Sequence, residues 1–429
     1  MQIVKKGLKY TAVFCIAVMI LTGLLVLTAK IPRSAIKENV QKSAEYLCEA
    51  ELFATKIEGV EGSRIDRYAD SILVAIAYQY DAEHPMASVM KSAYYHTEYQ
   101  NENENLLHAV EHGLEANQQY LRYWHGSNAV LRPLLIFFEL SEIYVVMGVL
   151  LVVLILTLLW ILRKRGAYVP IIGLVAGLVA TSVWFVPFSL EYIWTYLLML
   201  LVCIVGIKLV SLEKWQYIGY LFLLSGILTN YVDFLTTETL TLLIPLLLFL
   251  WMDRRAHPEK KAKQHFKKAG VAVISWGCGY VFMWITKWIL ASVVLEKNVM
   301  PYVTDHVKER MGLEHVSYII KAWKNNISCL FPYEYGTVGV LIGILGILIA
   351  FYLGYVYHKK NICRDMILLY GILGLIPYVR YMILLNHSYL HFFFTYRAQM
   401  AMIFAVVLIL EELTDRRWLA RATVRKRKP

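Results

Sequence analysis

The chain has 429 residues, of which 58% are hydrophobic, 14% aromatic and only 17% charged. Its mean hydropathy is positive, and its apolar residues come in blocks approaching the roughly 20 that a helix needs to cross a bilayer. That excludes an ordinary water-soluble globular protein and gives an all-α polytopic membrane protein, whose net charge of +11 fits anchoring near anionic lipid and not nucleic-acid binding.

The first block, TAVFCIAVMILTGLLVLTA (11–29), follows Lys5, Lys6 and Lys9. It is longer than a usual signal core, and Lys30-Ile31-Pro32-Arg33 makes a poor cleavage site, so residues 1–30 read as a cytoplasmic N-terminus and a retained first span. Residues 31–141 then form a large helical extracytoplasmic loop that holds half of the chain's acids. Within it, AIKENVQKSAEYLCEAELFA (35–54) is amphipathic, and DSILVAIAY (70–78) fits a helix lying in the interface. Leu107, Val110, Leu114 and Leu121 stand at helical spacing, which predicts one long polar helix over 97–124.

A multi-span domain covers 142–412, with apolar blocks near 143–162, 168–186, 193–210, 217–230, 239–252, 271–290, 336–357, 366–385 and 395–410. With the first span, that makes about ten. Outer loops are expected near 230–239, 291–335 and 386–394, and a basic tail over 413–429. Arg163 to Arg165, Lys208, Lys214, the stretch 253–268, Lys359, Lys360, Arg364 and the terminal RKRKP fall on one side. This enrichment predicts both termini on the cytoplasmic face of a cell membrane. Gly339, Gly343 and Gly346 offer a small-residue face for close helix packing. Cys48 and Cys329 both fall on the outer side, leaving a disulfide open.

The chemistry-bearing residues gather at the outer boundary. Asp66 and Asp70 in SRIDRYAD share one helical face. Either can take a proton from an acceptor hydroxyl, and either also suits a helix start. Arg122, Arg132, Arg380 and Arg397 suit a phosphate, because the guanidinium fork matches its oxygens and stays charged. They also suit plain interfacial anchoring, with Tyr123, Trp124 and Tyr396 as belt residues. His125 stands in the same stretch as Arg122, and His387 and His391 lie in the apolar last outer region, where ionisable groups are costly and usually functional. Asp233 is expected to pair with one of the arginines or to hold an acceptor. His108-Ala-Val-Glu111-His112 matches a zinc-peptidase pattern, but its polar, Asn- and Glu-rich helix favours a chance match, and no metal site is expected.

This layout, a first span, a large outer loop with an acid in SRIDRYAD and then many spans, resembles the GT-C superfamily of integral membrane glycosyltransferases. The resemblance implies transfer of a sugar from a polyprenyl-phosphate donor to a cell-envelope glycan acceptor outside the membrane. Asp66 or Asp70 would stand at the family's acid, and Arg122, His125, Arg132, Asp233, Arg380, His387, His391, Tyr396 and Arg397 would bind substrate. A monophosphate donor implies no metal, a diphosphate donor a divalent cation. YWHGSNAVLRPLL and FFFTYRAQM also look like segments of membrane proteins from Gram-positive bacteria. A lipid or polysaccharide transporter or flippase, and an O-antigen-type polymerase or ligase, are the alternatives.

Overall fold

The computed structural model describes residues 2–312, 318–356, 358–359 and 362–415. The terminal RKRKP, Lys360 and part of the 291–335 loop lie outside them. Among the described residues there is no strand, only isolated bridges such as Tyr94 with Gln118. Seven helical segments are long and apolar enough to cross a membrane, so the chain is a multi-pass membrane protein.

The first is α1 (Gln2–Ala29). The loop region then folds as five shorter helices: α2 (Lys37–Cys48), α3 (Arg67–Gln79), α4 (Pro85–Lys91), α5 (Glu102–His112) and α6 (Asn128–Leu134). The long helix expected over 97–124 is therefore only α5. Asn101 opens it, accepting from the Asn103 and Glu104 amides while Glu104 bonds back to the Asn101 amide, a reciprocal cap. Gly113 closes it in a left-handed conformation, φ +63°, which glycine adopts without a side-chain clash. Leu114 and Leu121 carry the helical period past a stop that the glycine imposes.

The bundle continues with α7 (Leu140–Lys164), α8 (Tyr168–Ala180), α9 (Leu190–Ser211), α10 (Trp215–Val232), α11 (Leu240–Ala256) and α12 (Ala262–Val294). Two small helices, α13 (Met300–Met311) and α14 (Ile319–Ser328), lead to α15 (Gly336–Val356) and α16 (Arg364–Ile383). The short α17 (Leu385–Leu390) and α18 (Phe392–Thr395) precede α19 (Met400–Leu413). Helices occupy all ten expected span positions. Three of them, α8, α10 and α11, have 13, 18 and 17 residues and fall outside the seven that length and composition qualify.

Helix α11 is apolar all round and buried along nearly its whole length, as a central helix must be; it packs on α9, α10, α12, α16 and α19. Helices α10 and α12 approach backbone to backbone. A Cβ at Gly226 would lie 2.1 Å from the Trp276 carbonyl, and one at Gly279 2.3 Å from that of Leu223. Close helix packing through glycine is therefore found here, and at Gly206 of α9, where a Cβ would lie 1.9 Å from the Phe249 ring of α11. On α15, Gly339 and Gly343 meet only the preceding Pro332–Tyr333 turn, and Gly346 meets nothing within 4 Å. Cys48 and Cys329 are free thiols, one exposed and one buried.

Candidate functional site

Asp66 and Asp70 are one turn apart, both buried, and the structure gives them different surroundings. Asp66 is the N-cap of α3 and accepts from the Ala69 amide at 2.8 Å. It also meets the Glu191 carboxyl in a carboxyl–carboxyl hydrogen bond, and two acids in contact away from water keep a proton between them. Burial pushes Asp66 up to about 6, against the lowering from the Ala69 amide and from Glu191. It lines a small cavity, and Glu191 Oε2 faces no hydrogen-bond partner among the described residues.

Asp70 points the other way, into the N-terminus of α9. Its oxygens accept from the Leu190 amide (3.0 Å), the Glu191 amide (3.2 Å), the Ser189 hydroxyl (3.2 Å) and the Tyr144 hydroxyl. A carboxylate there satisfies helix amides that have no intrahelical partner. Burial still pushes Asp70 up to about 7, offset in part by the Tyr144 hydroxyl and the Leu190 amide. Four donors and a closed surround make it a fastener between α3, α7 and α9.

The cavity at Asp66 holds about 60 Å³ and is walled by Tyr120, Tyr123, His125, Glu191, Arg310, His387 and His391. Arg310, from α13, donates to His391 Nε2 at 3.1 Å. The His391 imidazole is held down to about 3, by burial first and then by the Arg310 charge, so it is a neutral acceptor. Burial and the Arg380 charge likewise hold His387 well below the usual histidine range, and its Nδ1 has no partner among the described residues.

A second, larger cavity of about 660 Å³ adjoins it, sharing Tyr123 and Arg310. Its walls are apolar and lie between α12 and α16, with α13 above and Arg122, Glu238 and Arg380 at its polar edge. Trp276, Tyr280, Trp284 and Trp288 run up one face of α12 at four-residue spacing, with ring centroids 4.9, 6.3 and 5.3 Å apart in turn. Val281 on α12 and Val379 and Ile383 on α16 are 53%, 51% and 54% exposed, so the groove opens sideways where lipid chains would lie.

Among the expected arginines, only Arg122 keeps its charge beside these cavities without a carboxylate. It bonds to the Tyr120 hydroxyl at 2.8 Å and lies over the Tyr120 and Tyr123 rings. Arg380 edges the groove but is tied to Glu238 at 2.8 and 3.2 Å, to Ser388 and to the Leu235 carbonyl. Arg132 is spent on the carbonyls of Ile31, Ala77 and Tyr80. Arg397 donates to the Gly62 and Phe393 carbonyls, and Tyr396 donates to those of Gly62 and Thr181. Asp233, expected against an arginine, folds onto its own loop, accepting from Leu235, Thr236 and the Thr236 hydroxyl. It thereby holds Leu235 at φ +68°, a conformation costly for a branched residue.

Nor is Trp124 a belt residue: it is buried, and its indole donates to the Met283 carbonyl at 2.9 Å. His125 sits at φ +51°, and the Gly126 amide donates to the Tyr231 carbonyl at 2.8 Å. A Cβ on Gly126 would lie 2.3 Å from the Tyr231 ring. This turn delivers His125 to the cavity and locks Arg122 and Tyr123 above it. His108 and His112 lie with ring centroids 4.3 Å apart and planes tilted by 47° on α5, lining neither cavity, and His112 turns back to the His108 carbonyl.

Sequence reasoning missed Glu191, Arg310 and the aromatic ladder. Glu191 had a signal, an acid opening the apolar block LEYIWTYLL, where an unpaired carboxylate is expensive. The ladder had one too, in its strict four-residue spacing. Arg310 had none. The chain matches no family model, no curated protein and no solved structure.

Proposed function

We propose that the protein is a membrane glycosyltransferase that moves a sugar from a polyprenyl-phosphate donor to an acceptor hydroxyl on the loop side of the membrane, which the lysine distribution makes extracytoplasmic. One observation carries the reading: a buried acid pair, Asp66 with Glu191, adjoins an apolar groove that opens sideways, and uncompensated guanidinium groups stand at the junction.

The polyprenyl chain lies along the aromatic ladder between α12 and α16, and the phosphate rests against Arg122 and Arg310. Asp66 takes the proton of the acceptor hydroxyl as that oxygen attacks the anomeric carbon. The bond from that carbon to the phosphate oxygen breaks, and the phosphate leaves with the electron pair. Arg122 and Arg310 stabilise the charge gathering on it, and neutral His391 orients Arg310. Asp66, raised to about 6, is ionised at neutral pH yet basic enough to share a proton. Glu191 positions it.

The test compares Asp66→Asn with the parent at equal protein level. Loss of a cell-envelope glycan, with accumulation of its lipid-linked donor, supports the reading. Unchanged glycan removes the base, and protein-dependent lipid translocation without sugar transfer replaces the enzyme with a flippase.

A further inference from the structure

The opposite end of the bundle, where α1 begins, carries a cavity unrelated to the one above. It holds about 340 Å³ and lies between the first turns of α1, α10 and α12. Four lysines line it: Lys6 from α1, Lys260 just before α12, and Lys267 and Lys268 in its first two turns. Two of them are fixed. Buried Asp253 accepts from Lys260 at 3.0 Å and from Lys268 at 2.6 Å, with His265 3.1 Å away. The Lys268 ammonium also lies 3.9 Å from the centre of the Trp215 ring. Lys6 and Lys267 pair with no carboxylate among the described residues.

Four lysines therefore line this cavity, and Asp253 holds only two of them. The scaffold around them is rigid. Tyr10 stacks on Tyr220 with centroids 4.3 Å apart, and a Cβ on Gly219 would lie 2.0 Å from the Tyr10 hydroxyl, so only glycine leaves that ring its place in the wall. Val271, which lines the cavity, and Ile274, about one turn further along α12, are 38% and 67% exposed and offer an apolar flank. A cationic pocket with apolar flanks at a membrane boundary matches an amphiphilic anion.

We propose that this cavity binds the phosphate of an anionic phospholipid, with the headgroup among Lys6, Lys267 and Lys268 and an acyl chain along Val271 and Ile274. The proposal shares no residue with the transferase site and stands or falls independently of it. The full chain is purified in phosphatidylcholine nanodiscs with and without phosphatidylglycerol, and the phosphatidylglycerol retained is counted by native mass spectrometry. The Lys6→Gln/Lys267→Gln double variant is expected to lose affinity about fivefold per lysine removed. Because neither lysine side chain makes a hydrogen bond or ion pair among the described residues, the variant's melting temperature in phosphatidylcholine alone is expected to stay that of the parent. The Lys5→Gln/Lys9→Gln variant removes the same charge outside the cavity and is expected to retain the lipid. Equal loss in both variants would reduce the site to diffuse surface charge and overturn the proposal, as would full retention in both. Inorganic phosphate is the other arm: displacement of the lipid by it at matched concentration would make the ligand a soluble phosphate and overturn the lipid assignment.

Discussion

Two regions at the loop end of this molecule are built from the same residue types and do opposite things. Around Gly62, Arg397 Nη1 and Nη2 and the Tyr396 hydroxyl donate to backbone carbonyls, and Ser182 donates to Glu334 at 2.8 Å beside them. A Cβ on Gly62 would strike Glu334 at 2.3 Å. Each arginine and tyrosine here joins the loop region to the helices beneath it. Around Asp66, Glu191 and His387 line a cavity with Glu191 Oε2 and His387 Nδ1 lacking partners among the described residues, and Arg310 and Arg122 meet only neutral groups. Buried polar groups are nearly always satisfied, so a cluster of exceptions against a cavity points to a ligand. Arg397 Nε and Glu334 Oε2 lack partners near Gly62 as well, so what marks the Asp66 region is that its unpaired atoms belong to residues lining one cavity.

The sharpest way to break that comparison is to change one acid at a time. Asp66→Asn keeps the helix cap, since asparagine caps as well as aspartate, and is expected to lower transfer by about 10²–10⁴-fold with little change in melting temperature. Next in size is Arg380→Ala, which leaves Glu238 buried without its partner and is expected to cost about 3–5 kcal/mol of stability, read as a lower melting temperature. Asp70→Asn turns an amide donor toward donors at the start of α9 and is expected to cost about 1–3 kcal/mol, with activity per folded molecule preserved. If Asp70→Asn abolished activity in a fully folded protein, the division between the two acids would be reversed.

The smallest expected effect is with pH, and it has two signs. Burial raises both acids above their ordinary value, to about 6 and about 7. The stability they contribute is complete below about pH 4 and is lost as pH rises through those values. Melting temperature is thus expected to fall from about pH 4 to about pH 7. Activity is expected to rise over the same interval as Asp66 ionises, with a midpoint near 6, and Asp66→Asn should abolish that rise. A flat activity profile in the parent would remove the base from this position.

The helices were largely legible in the sequence, because apolar blocks and lysine-rich ends are written into composition. The loop region was legible only in part. Gly113 stops α5 where Leu114 and Leu121 keep the helical period, since one left-handed residue outweighs a weak stripe. The candidate site was legible as a set of outer ionisable residues and not as a selection among them. Arg132 and Arg122 stand in one stretch of sequence, yet Arg132 spends its donors on carbonyls that the fold brings from Ile31 and Ala77. Nothing in the local sequence records those partners. Glu238 took the arginine expected for Asp233 for the same reason: a nearby turn, not charge alone, decided which acid faced α16.

The most direct measurement is an experimental structure of Asp66→Asn in a lipid nanodisc with a polyprenyl phosphate added. The account requires the isoprenoid chain along Trp276, Tyr280 and Trp284 and the phosphate within hydrogen-bond reach of Arg122 or Arg310. A groove filled only by bulk lipid, with the phosphate held elsewhere, would contradict it.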